Sequence, residues 1–113
     1  MRYVNSKEIQ AFVDRVEKKK SYRREYNLIF RHLLEEMGEL SAAIWLLESN
    51  HSIPFTGPGE EISNEQRVGG ELVDIISLCV YLATVLEVDL NEVFPWKFSR
   101  VARQYGVEFK ESK

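Results

Sequence analysis

The sequence predicts an all-α protein with a four-helix-bundle-type core around two long central helices. Three observations lead there. Apolar residues recur at steps of three and four over most of the chain. Asn, Ser or Asp followed three positions later by Glu or Gln stands ahead of three of those runs, as at helix N-termini. No strand-like alternation of useful length interrupts them. At 113 residues the chain is expected to form a single domain, residues 1–113, and a hydrophobic fraction of 44% is ordinary for a globular core. So short a chain buries only a modest core. Helices with apolar surface on two sides are therefore expected to be completed by oligomerisation.

The first helix is expected after Asn5, which forms a capping-box pattern with Glu8, and Ile9, Phe12, Val13 and Val16 follow at helical spacing. Lys18, Lys19, Lys20 and Ser21, with Arg23 and Arg24, read as a polar break or exposed turn; a solvated face competes there with a phosphate or RNA contact. The second helix is expected over residues 25–49, with Leu33, Met37, Leu40, Ile44 and Leu47 drawing one apolar stripe. Residues 50–64 hold Pro54, Gly57, Pro58 and Gly59 without periodicity, which predicts a loop long enough to be functional. Ser63 and Gln66 cap the third helix, whose expected stripe is Val68, Leu72, Ile75, Cys79, Leu82 and Leu86. Gly69 and Gly70 weaken that helix and call for a reason such as close packing or ligand approach. Asp89 and Glu92 open a final helix reaching about Gln104, with Pro95 tolerated near its first turn and Gly106 as its stop.

Charge narrows the function classes. A net charge of −3 is not that of a dedicated nucleic-acid binder, so no stable nucleic-acid complex is expected. Glu35, Glu36, Glu39, Glu71 and Asp74 fall in two short clusters and outnumber the acidic excess, which is therefore local. Cys79 is the only cysteine; it excludes an internal disulfide and, within an apolar run, is expected to be a buried inert thiol. The N-terminus has no apolar export signal, and no charge-free stretch is long enough to span a membrane. A cytoplasmic location without a membrane partner is the expectation.

The two acidic clusters are the candidate site. Glu35, Glu36 and Glu39 lie within about one helical turn, and Glu71 and Asp74 are three apart. On a wheel of about 100° per residue, Glu36 and Glu71 border the apolar stripes of their helices, so they are only partly solvated. Grouped carboxylates repel one another and resist desolvation. Arg31, His32 and Arg67 lie within four residues and offer some compensation. Two readings stay open: a hard divalent cation, magnesium or manganese, held by oxygen ligands, or a solvated acidic face.

Glu35-Glu36-Met37-Gly38-Glu39 reads EExxE, and Glu71-Leu72-Val73-Asp74 reads ExxD. With the long loop between them, over about residues 33–105, these motifs resemble the MazG-type nucleotide pyrophosphohydrolases of the all-α NTP pyrophosphatase superfamily. The resemblance implies that Glu36, Glu39, Glu71 and Asp74 ligate magnesium. It also makes Glu35 the outer acid, which holds a second metal or orients the attacking water, so that Glu35 and Glu39 are the candidate catalytic acids. It implies hydrolysis of a nucleoside triphosphate between the α and β phosphates, in a homodimer or homotetramer. Lys97 and Tyr105 match a further family element, whereas Val101 stands in place of its asparagine and Gly106 in place of its proline. That departure removes an amide that contacts nucleotide in some relatives.

Lys97, Arg100 and Arg103 are helically spaced and are candidates to balance phosphate charge, against an ordinary exposed basic face. Trp45, Phe55 and Trp96 offer aromatic faces to a nucleobase, although core or interface packing competes for each, and Trp45 is taken as the substrate-side candidate. Glu48 and His51 make a single ExxH spacing, where di-iron bundles need two. The expected function is thus magnesium-dependent nucleoside triphosphate pyrophosphohydrolysis. The alternatives are phosphoribosyl-ATP pyrophosphohydrolysis on the same scaffold and a non-catalytic helical interaction module.

Overall fold

The computed structural model describes residues 4–20, 25–49 and 62–110. They form four helices: α1 (Ser6–Lys20), α2 (Tyr26–Ser49), α3 (Asn64–Val85) and α4 (Leu90–Tyr105). The all-α expectation holds, with α2 and α3 as the long central pair and packing consistent with a helical bundle.

Local chemistry sets the helix ends. The Glu8 amide donates to the Asn5 side chain at 2.9 Å, starting α1 where expected. The side-chain amide of Asn5 in turn donates to the Glu8 carboxylate at 3.3 Å. The first part of the basic run is helical and no break: Lys18, Lys19 and Lys20 form the end of α1, because lysine is a good helix former. Residues 21–24 lie outside the described residues, as does most of the expected loop, 50–61, with Phe55 and His51. At α3 the capping box is complete: the Gln66 amide donates to the Ser63 hydroxyl at 3.1 Å and the Ser63 amide to the Gln66 side chain at 2.9 Å. Asp89 caps α4 by accepting from the Asn91 amide at 2.9 Å, without a box to Glu92. Gly106 ends α4 at φ 68°, the left-handed conformation glycine adopts without cost.

Helices α2 and α3 run antiparallel. The Asn64 side chain reaches the Leu46 carbonyl where α2 ends and α3 begins, while Ile29 near the start of α2 packs with Leu78 and Tyr81 far along α3. Helix α1 lies on α3, joined by Val13 in the core and by Gln10 donating to Thr84 at 3.0 Å. Helix α4 rests on α1, where Ser6 meets Asn91. The core is small: Val13, Ile29, Leu78, Val80 and Tyr81, flanked by Ile9, Leu33, Leu82, Val85 and Leu90.

The expected stripes are displaced. On α2, Met37, Ile44 and Leu47 are exposed, Met37 at 54%, while Ile29 and Ala43 are buried. On α3, Leu72 and Leu86 are exposed and Leu78, Val80, Tyr81 and Ala83 buried. Cys79, expected inside, is exposed. Both helices carry two apolar faces, and each expected stripe mixed them: Leu33 and Leu40 on α2, and Val68, Ile75 and Leu82 on α3, do turn inward. Gly69 and Gly70 have open space where a side chain would project, so neither close packing nor a close backbone approach within the chain explains them. Among the described residues, α3 is long and apolar enough to cross a membrane by length and composition, with Glu71 and Asp74 inside it.

Candidate functional site

The inner face of α2 reads Ile29, Leu33, Glu36, Leu40, Ala43, at steps of four, three, four and three, and each of these residues is buried or half-buried. Glu36 therefore occupies a core position rather than the border of a stripe. The inner face of α3 reads Glu71, Ile75, Leu78, Leu82, Val85 on the same rhythm, again with an acid in a core position. Antiparallel packing brings these two interruptions level. Glu36, Glu71 and Asp74 each offer a carboxylate oxygen, and the three oxygens lie within 4.8 Å of one another.

Three carboxylates so close cannot all be charged without a cation. Burial foremost, then a hydrogen bond to Glu36, then the negative charges of Glu39, Glu36 and Asp74 push the Glu71 carboxyl up to about 7. In the cation-free protein the protonated form of Glu71 is therefore favoured up to about neutral pH. Oε2 of Glu36 and Oε2 of Glu71 are nonetheless buried without a hydrogen-bond partner. Orphaned buried oxygens of this kind are costly.

An all-oxygen donor set suits a hard cation, and the residues fit one. Ligand atoms around one octahedral magnesium at about 2.1 Å sit about 3–4 Å apart, so little closing of the trio is required. A scan against family models and a search of the curated proteins found no match for this chain.

The other expected site residues divide. Glu39 is exposed and lies close enough to Glu71 for its charge to act there. Glu35 is exposed, about 100° round the helix from Glu36. Trp45, 60% exposed, follows Glu36 by nine positions, which puts it about 180° away on the helix surface. Lys97, Arg100 and Arg103 do come together, lining one open groove on α4 with Val101 and Gln104, and Arg100 also stacks on Trp96 at 5.4 Å. The charges acting on Glu71 are all acidic, so this basic trio is not among them.

Of the nearby bases, His32 contacts the cluster, its Nε2 3.3 Å from Glu36 Oε1. Arg67 is half-buried one turn ahead of Glu71. The core placement of Glu36 and Glu71 escaped the sequence reading. The signal for it was the Ile29-Leu33-Leu40-Ala43 frame around Glu36, obscured by the more hydrophobic Met37-Ile44-Leu47 set.

Proposed function

We propose that this chain is a magnesium-dependent nucleoside triphosphate pyrophosphohydrolase of the MazG-like kind, cleaving the α–β phosphate bond to release monophosphate and pyrophosphate. The observation that supports it is the meeting of half-buried Glu36 and Glu71 with exposed Asp74, from two helices, in an oxygen-only group with two orphaned oxygens. A solvated acidic face accounts poorly for acids in core positions, since burial of unpaired carboxylates is unfavourable.

In this reading Glu36, Glu71 and Asp74 hold the cation, with Glu39 beside them. When bound, the cation polarises phosphate oxygens and assists ionisation of a water. Exposed Glu35 accepts the proton of the water that attacks phosphorus; the anhydride bond breaks and pyrophosphate leaves. Lys97, Arg100 and Arg103 offset phosphate charge. Because the basic trio is not among the charges acting on Glu71, the proposal includes a second copy of the chain, with manganese as the alternative ion. The outer stripes support such a copy: Phe30, Leu34, Met37 and Ile44 on α2, and Leu72, Ile76 and Leu86 on α3, are exposed.

The deciding experiment is a triphosphate panel with magnesium and product identification. Monophosphate plus pyrophosphate is expected; stepwise release of single phosphates would overturn the assignment. Asp74→Asn should lower turnover by at least about 100-fold, as loss of a charge-stabilising group in a phosphoryl-transfer site does, with the helical circular dichroism signal unchanged.

A further inference from the structure

His32 stands one helical turn before Glu36, the spacing at which two side chains on a helix meet. Its Nε2 lies 3.3 Å from Glu36 Oε1, and the two side chains are 37% and 13% exposed. The imidazole therefore sits on the solvent side of a largely buried carboxylate. The other oxygen, Oε2, is buried and has no hydrogen-bond partner.

A glutamate's terminal torsion is broad and roughly two-fold, so packing around the stem does not by itself decide where each oxygen points. A donor fixed on one oxygen removes that freedom and presents the other. Both the neutral Nε2–H tautomer and the imidazolium donate from Nε2, so this action does not depend on the charge of His32.

We propose that His32 is a positioning residue for the cation site: by engaging Glu36 Oε1 from the solvent side, it holds Oε2 towards Glu71 and Asp74. The inference rests on the reading of the acidic trio as a cation site. Outer partners of ligating carboxylates commonly set metal affinity by about 10- to 100-fold.

The sign of the effect separates positioning from electrostatics. Removing a side chain that merely occupies space beside the trio would leave cation binding unchanged, and removing a cationic one would strengthen it. Removing a positioning donor weakens it.

The test is manganese titration of the full-length, cation-free protein by calorimetry at about pH 8. Wild type is compared with His32→Ala, His32→Gln and His32→Asn, and helicity and thermal unfolding without cation are recorded for each. His32→Ala is expected to weaken manganese binding about 10- to 100-fold. His32→Gln, long enough to donate to Glu36, should recover most of that loss. His32→Asn, polar but too short, should behave like alanine, and it carries the comparison if the alanine variant loses helicity.

Unchanged or tighter binding in His32→Ala would overturn the positioning role while leaving the cation site standing. Equal weakening in His32→Gln would show that a donor to Glu36 is not what matters, and would overturn it too. Failure of the wild type to bind manganese would remove the site itself, and the role of His32 with it.

Discussion

Glu71 is the residue where packing and chemistry conflict most. Its carboxyl is raised from 4.5 to about 7, so the folded chain holds the proton more tightly than the unfolded chain does. That contribution to stability is complete below about pH 4.5 and is lost as the pH climbs through about 7. Without cations, the melting temperature should therefore fall between about pH 5 and about pH 8. Glu71→Gln keeps the shape and a donor for Glu36 while carrying no charge, so it should flatten this slope and melt above wild type at the higher pH. A variant that follows the wild-type curve would mean that Glu71 is not the group responsible. Cation affinity should rise over the same interval, since ligation needs the deprotonated carboxylate. His32 belongs at this scale too: its value lies in the oxygen it leaves free.

At the scale of the element, the ends of α3 make opposite predictions. Its start is stabilised by the reciprocal Ser63–Gln66 pair, so Ser63→Ala should lower stability by about 1 kcal/mol in urea denaturation. Its end closes with Val88 donating to the Ala83 carbonyl at 2.8 Å and Glu87 at φ 60°. A left-handed residue there is usually glycine, because a Cβ costs roughly 1 kcal/mol in that conformation. Glu87→Gly should accordingly stabilise the protein by about that amount. Helices α2 and α3 also share a design. Each gives an inner face to the other, interrupted once by an acid, and leaves an outer apolar face towards solvent.

Those outer faces matter most for the molecule as a whole. Among the described residues no large side chain is fully buried, while Leu34, Met37, Leu72 and Ile76 face outward. Sedimentation should therefore detect a dimer or tetramer, with a melting temperature that rises with protein concentration. Leu34→Asp and Ile76→Asp should shift the distribution towards monomer. A wild-type chain that stays monomeric across the micromolar range would overturn the second copy in the proposed function.

How much of this was legible in the chain itself depends on the range of the interactions. Helix type, three of the four start signals and the Gly106 stop are local, set by residues within four positions of one another, and they read directly from Asn5, Ser63, Asp89 and Gly106. The acids were visible as well, but not their company. Which of two apolar faces turns inward depends on what packs against it, and periodicity alone cannot choose between Met37 and Glu36 as the core residue of α2. Only the antiparallel pairing of α2 with α3 did so, placing Glu36 level with Glu71 and Asp74 and turning two ordinary acidic motifs into one crowded group of oxygens.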